Sequence, residues 1–334
     1  MNALLDRLVT AIHHDLGHAP ETITPGTICR FPTSSRRTDD AGWCYWFEDG
    51  KGAVFGDYRT GQIGQWSAID RRLMTPREQA AWAAQIAKAK AERDKAQRAR
   101  WAVNRDRNRD MWRAAHELVP GDVATQYLKR RGLAGVWPLP ACLRYTPSLS
   151  YFQGGEKVGS FPAMLAQFRG TDGRCLAIHR TYLTRDGRKA DQLPSPKKLT
   201  GASGVLAGGC IPLGQPRDGA LGVAEGIETA LCAGAGSGLP VVATYSAGCL
   251  AAYQWPQGLK RLVIFADNDA SGTGQKAADK LQARARAAGL SVLVMIPSTP
   301  GTDWADVYTR RDLATVDAVA YSLERAHFGE GGEA

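Results

Sequence analysis

The sequence lacks several features that would settle its class at once. Its seven cysteines, at positions 29, 44, 142, 175, 210, 232 and 249, are scattered, with no two closer than 15 residues. There is no Cys-x-x-Cys, which argues against a zinc ribbon, and most of the thiols sit in apolar contexts and read as buried. No apolar run approaches the ~20 residues of a membrane span. The opening Met1-Asn2-Ala3-Leu4-Leu5-Asp6-Arg7 has no basic region ahead of an apolar core. It does not read as a signal peptide, and a cytoplasmic location is expected. No Gly-x-x-x-x-Gly-Lys-Ser/Thr phosphate loop occurs, so no fused ATPase motor is expected.

What is present is a basic chain of ordinary globular composition. It has 334 residues, 44% of them hydrophobic, and a formal net charge of +9; that length suffices for two or three domains. Leu4, Leu8, Ile12 and Leu16 lie at helical spacing, which predicts a short amphipathic helix. Trp43–Phe47, Ala53–Tyr58 and Gln62–Trp66 then read as three short strands, with turns at Glu48–Gly52 and Arg59–Gly61. Their aromatics are more readily spent on a small β-core than on stacking against bases.

From Thr75 to Leu118 the composition changes. Between Arg77 and Arg113 there are 11 Lys/Arg against five Asp/Glu. Strong helix formers dominate, and Thr75-Pro76 marks a start. Trp82, Ile86, Trp101 and Trp112 make only a broken apolar stripe. A helix this polar reads as a solvated connector of about 55 Å, with a secondary share in neutralising phosphates. Beyond it, Asp122–Leu133 reads as a helix closed by glycine. Leu143–Tyr145, Phe161–Phe168 and Cys175–Leu183 read as strands of antiparallel hairpins, turned at Gly170–Gly173 and Arg185–Gly187.

The C-terminal part alternates differently. Leu221–Ala224, Pro240–Tyr245, Arg261–Ala266 and Ser291–Ile296 are short apolar runs separated by helical patterns. Such alternation predicts parallel strands joined by crossover helices, with working groups at the strands' carboxyl ends. Glu225, Asp267 and Asp269 all fall there, and Asp303 and Asp306 follow the last strand. A lone Asp-x-Asp would read as a turn and helix cap. Three acids, each just after a buried strand, read instead as a hard-oxygen site for Mg²⁺.

Glu225-Gly226 at one strand end, Asp267-Asn268-Asp269-Ala270-Ser271-Gly272 at another and the later Asp303-Trp304-Ala305-Asp306 resemble the Toprim domain of primases, topoisomerases and some nucleases. The fuller wording Glu225-Gly-Ile-Glu-Thr-Ala-Leu231 is similar to primase-like proteins of phages, plasmids and other mobile elements. So are Phe55-Gly56-Asp57 with its flanking tryptophans, and the run from Tyr127 through His179-Arg180-Thr181-Tyr182-Leu183 to Lys197-Lys198-Leu199. The chain departs from cellular bacterial primases in carrying Thr229 where they have an acid, with Glu228 one position earlier.

The resemblance implies an α/β and α+β chain in four parts. Residues 1–70 form a small β-rich module in the place of a zinc ribbon but without its ligands. Residues 75–118 form the basic helical linker, 119–216 a primase-type α+β lobe, and 217–325 the Toprim domain. It also implies synthesis of short RNA primers on single-stranded DNA. Glu225, Asp267 and Asp269 are then catalytic and, with Asp303 and Asp306, hold Mg²⁺ or Mn²⁺; no zinc is expected. Arg130, Arg131, Arg144, His179, Arg180, Lys197 and Lys198 are the candidates to meet template and nucleoside triphosphates. Arg144 and Arg180 lead, because arginines embedded in apolar strand wording need an anionic partner. A replicative helicase would be a separate partner, and no membrane is implied. The alternatives are a Toprim metal-dependent nuclease and a non-catalytic single-strand-binding replication factor. No tyrosine stands out as a topoisomerase nucleophile.

Overall fold

The computed structural model describes residues 2–34, 39–58, 62–134 and 138–310. They fall into two compact units, one of the described residues up to 100 together with 151–159, and one of the described residues of 101–150 together with those from 160 to 310. The expected turn at Arg59–Gly61 and the end of the expected Toprim domain, 311–325, lie outside the described residues.

In the first unit, α1 (Asn2–Leu16) precedes β1 (Ile28–Phe31), β2 (Gly42–Trp46), β3 (Gly52–Asp57) and β4 (Ile63–Ser67). The strands form one antiparallel sheet in that order. β2 is buried along its whole length because both faces of the sheet are covered. On one side Leu8 and Ile12 of α1 pack with Cys44, Trp46 and Phe55. On the other, Trp43, Tyr45 and Phe47 pack with Trp82 and Ala89 of the long helix α2 (Pro76–Ala114). The aromatics are therefore core. A Cβ at Gly52 would lie 2.1 Å from the Trp82 ring, so this close approach of β3 to α2 requires glycine. Thr75 and Glu78 cap α2 reciprocally: the Glu78 carboxylate accepts from the Thr75 N–H at 2.8 Å, and the Glu78 N–H donates to Thr75 Oγ1 at 3.3 Å. Cys29 and Cys44 are directly opposed across β1 and β2. Facing each other, the two thiols influence one another: the pKa of Cys29 is lowered, and that of Cys44, which is also buried, is raised.

The second unit takes the rest of α2 and two further sheets. β5 (His116–Glu117), α3 (Val123–Arg130), β6 (Leu143–Gln153), β7 (Glu156–Arg169), β8 (Cys175–Tyr182) and β9 (Lys197–Leu199) build a five-stranded sheet in sequence order beside one helix. The Asp122 carboxylate caps α3 by accepting the Thr125 N–H at 2.6 Å. α2 is not solvated all round here. Asn108 is 3% exposed, and its side chain donates to the carbonyls of Gly201 and Leu176.

Then follow β10 (Ala220–Ala224), α4 (Ile227–Ser237), β11 (Val241–Ala243), α5 (Ala247–Ala252), β12 (Arg261–Phe265), α6 (Thr273–Ala287), β13 (Ser291–Met295) and α7 (Trp304–Arg310). The strands run parallel in the order β11-β10-β12-β13. Period-two alternation sends Leu221, Val223, Leu262 and Ile264 to the side where Ala278 and Leu281 of α6 pack. Ala224, Val263 and Phe265 point the other way, into a core shared with Leu128, Met164 and Phe168 of the α+β lobe. That shared core sets the carboxyl ends of β10 and β12 beside β8 and β9. Among the described residues, no helix is long and apolar enough to cross a membrane.

Candidate active site

Glu225 follows the last residue of β10, and Asp267 comes two residues after β12. Both stand where parallel-sheet chemistry is usually placed. Asp267 is the most perturbed of these acids. Burial first, then the charges of Asp303, Glu225 and Asp269, push its carboxyl up to about 7, with Lys197 opposing. Its Oδ1 is buried and accepts no hydrogen bond. Glu225 is also raised, by burial and by Asp269, while Lys197 and the Ala247 N–H at the start of α5 act the other way. Asp269 is lowered, because Ser271 and the Gly274 N–H donate to it. It thus caps α6 while its charge still bears on its neighbours. Asp303 and Asp306 form a reciprocal box at the start of α7: the Asp306 N–H donates to Asp303 Oδ1 at 2.8 Å, and the Asp303 N–H to Asp306 Oδ2 at 3.2 Å.

A group of strand-end acids, one of them raised by burial and by its neighbours' charges and carrying an orphaned buried oxygen, suits a divalent cation. Among the described residues no three Cys, His, Asp or Glu side chains close into a preformed cage. The donors present fit a cation held by one or two carboxylates that completes its shell with water and substrate oxygens, the habit of Mg²⁺.

A second acid, Glu228, lies in the first turn of α4 and is 3% exposed. Tyr127 Oη donates to its Oε1 at 2.7 Å, and Lys197 Nζ to its Oε2 at 2.7 Å. Burial would raise this carboxyl, but Lys197 and Tyr127 outweigh it and hold it at about 2. Glu228 is therefore a charged anchor between α3, β9 and α4. Lys197 is held so that its charge also reaches Glu225 and Asp267. Tyr127 was not among the residues singled out from sequence. The available signal was an acid predicted inside a buried helix turn, which demands a cation and a second donor.

The other basic candidates divide. Burial works against the charge of Arg131, but Tyr127, Asp303, Glu228 and Asp306 surround it and raise its pKa; its guanidinium is 3.8 Å from Asp303. His179 is buried, its Nδ1 has no hydrogen-bond partner, and burial lowers its pKa to about 4. Its ring meets Tyr245 edge-on at 5.4 Å. Tyr245 holds a left-handed φ of 75° while its N–H donates to the Glu225 carbonyl at 2.8 Å. A non-glycine residue in that region stores strain, which tends to gather at functional sites. Arg180 Nη2 donates to the Leu199 carbonyl at 3.0 Å, and Lys198 pairs with Arg180 across β8 and β9. Arg144 stands apart from the acids. It donates to the Trp112 and Ala115 carbonyls at 2.8 and 3.3 Å and lies over the Trp112 ring. The partner its setting demanded is thus the carbonyl end of α2. Arg130 is exposed at the end of α3.

Two family profiles match. Residues 102–212 match a domain of unknown function (DUF7146), and residues 220–312 match the Toprim domain. No curated protein matches the chain. Among solved structures, a DNA primase domain from Pseudomonas aeruginosa aligns at 16% identity and a TM-score of 0.35. That alignment covers 51% of this chain and 56% of that one, so the chain spans little more than half of that domain. The Aquifex aeolicus primase, with its zinc-binding and RNA polymerase domains, aligns at 15% identity and a TM-score of 0.41 over 96% of this chain and 85% of that one. The RNA polymerase domain of Mycobacterium tuberculosis primase DnaG aligns at 16% identity and a TM-score of 0.40, over 71% and 89%. With its acids at or beyond the ends of a four-stranded parallel sheet inside the matched span, residues 220–312 of the chain are a Toprim domain.

Proposed function

We propose that the chain is a nucleotidyltransferase of the primase type, making short RNA primers on single-stranded DNA for replication of a mobile element. The observation that supports this best is the buried Asp267 carboxyl, whose Oδ1 has no hydrogen-bond partner and which burial and the charges of Asp303, Glu225 and Asp269 raise, with Lys197 fixed alongside by Glu228. Glu225, Asp267 and Asp269 would hold the cation, with Asp303 and Asp306 completing the acidic rim. A bound Mg²⁺ or Mn²⁺ supplies Lewis-acid stabilisation at the phosphoryl group and activates the attacking hydroxyl.

The chain's own residues do the rest. Glu225, its carboxyl raised by burial and Asp269, is suited to accept the proton of the primer 3′-hydroxyl. Lys197 offers its ammonium to the triphosphate, and Arg131 stands beside Asp303. His179, neutral and buried, keeps that wall of the site uncharged. The partners on this reading are a single-stranded template, nucleoside triphosphates and a separately encoded helicase.

Incubation with single-stranded DNA, labelled nucleotides and Mg²⁺ or Mn²⁺ tests the proposal. New labelled oligomers that depend on template are expected. Shortened template without nucleotide incorporation would identify a nuclease instead.

A further inference from the structure

The second half of α2 and the β7–β8 turn enclose a pocket apart from the acidic site. Its cavity is about 240 Å³, and its walls include Trp101, Arg105, Thr171, Arg174, Leu176 and Val205. Trp101 and Arg105 are four apart on a helix, so they share one face one turn apart. That face is pinned. The Asn104 side chain donates to the Ala202 carbonyl at 2.8 Å, and Asn108 to the Gly201 carbonyl at 3.0 Å. The facing wall is fixed as well, by Ser203 Oγ donating to the Leu176 carbonyl at 3.0 Å and by the closed turn from Gly170 to Gly173.

The charges around the pocket are unequal. The acid at its rim, Asp172, is held by Arg174 through the guanidinium at 3.6 Å and the backbone N–H at 3.0 Å. Arg105 makes no hydrogen bond or ion pair among the described residues. The pocket therefore offers a partly exposed indole and an unanswered guanidinium one helical turn apart.

We propose that this pocket seats one nucleotide of single-stranded DNA, the base against Trp101 and a phosphate on Arg105. The proposal rests on the reading of the chain as acting on a single-stranded template. The cavity is smaller than the ~300–1,000 Å³ of a site that encloses a whole small ligand, so it suits one unit of a longer molecule. An aromatic face beside a cation matches the base-and-phosphate repeat of a single strand. A duplex keeps its bases stacked and cannot offer one.

The test is equilibrium binding of labelled oligo-dT to the full chain, without nucleotides or metal, at several salt concentrations. Trp101→Ala should weaken binding by roughly five- to a hundredfold, the range of one base–aromatic stack, and Trp101→Phe should restore most of it. Arg105→Gln should reduce the slope of log affinity against log salt by about 0.7, one phosphate contact on a single strand. Val205→Glu places a negative charge in the pocket from a residue that is 66% exposed; it should weaken binding without altering the melting temperature. If the Ala variant fails to fold, the Val205 variant decides. Affinities within twofold of wild type in the folded variants would overturn the proposal, as would a wild type that does not bind oligo-dT. Primer synthesis by wild type with binding untouched in the variants sinks the pocket alone. Binding lost in the variants without primer synthesis by wild type keeps the pocket and sinks the functional reading.

Discussion

The Tyr127–Glu228–Lys197 anchor responds asymmetrically to which partner is removed. The Glu228 side chain is 4% exposed and that of Lys197 40%. Lys197→Met leaves a buried carboxylate with one hydroxyl donor. Breaking a buried pair from one side costs about 3–5 kcal/mol, and the half-exposed lysine places this case near the low end, at about 3 kcal/mol. Glu228→Gln keeps the shape and the Tyr127 contact and releases Lys197 towards water, so it should cost only about 1–2 kcal/mol. The double variant should fall well short of the sum, with a coupling of about 2 kcal/mol. The pH dependence follows from the carboxyl being held at about 2. The unfolded chain binds that proton first, so the anchor's stabilisation is fully present above the ordinary value near 4.5 and is lost as pH falls towards 2. The Lys197→Met deficit should therefore shrink on acidification. Urea unfolding of the four proteins between pH 3 and about 8 measures all of this. Equal single costs that add in the double variant would refute a buried ion pair.

His179, lowered from 6.5 to about 4 by burial among Glu228, Lys197 and Arg180, takes up its proton only on unfolding. Stability should drop by up to about 3 kcal/mol as pH falls from 6.5 to 4, and His179→Leu, followed by thermal melts, should flatten that slope. Gly52→Ala should cost about 1–3 kcal/mol in chemical unfolding, since its methyl would meet Trp82. Without metal, Asp267→Asn should raise the melting temperature by relieving the crowding of carboxylates, and it should abolish most of the further rise that Mg²⁺ gives wild type.

The parallel sheet was legible because its strands carry apolar runs buried on both faces and end in acids, a pattern few other arrangements produce. Leu221–Ala224 became β10 ending where the apolar run ends, and Arg261–Ala266 became β12, which closes one residue sooner at Phe265. The long reach of β6 and β7 was not legible. Pro147, Lys157 and Gly159 interrupt the strand pattern, and it is the ladder between neighbours that extends it. β1 is too short to stand out at four residues. The helix read as a solvated connector proved buried at Trp82, Ala89 and Asn108, because a broken stripe can serve two cores in turn. At the site, positions of the acids could be read from strand ends, whereas their partners could not. Tyr127 fits a helical core pattern, and nothing local says that it meets Glu228 across 101 residues. Arg144 was expected to need an anion, and helix-end carbonyls met that need.

The central claim is that the acids at the ends of β10 and β12 carry metal-dependent nucleotidyl transfer. It is tested most directly by template-dependent primer synthesis in the Asp267→Asn/Asp269→Asn double variant. The changes keep the shape and remove the charge, and cation stabilisation of a phosphoryl transition state is worth several kcal/mol. Synthesis should fall by orders of magnitude while the fold and single-strand binding persist. Full synthesis by the double variant, or none by wild type with Mg²⁺ or Mn²⁺ across varied templates, would contradict it.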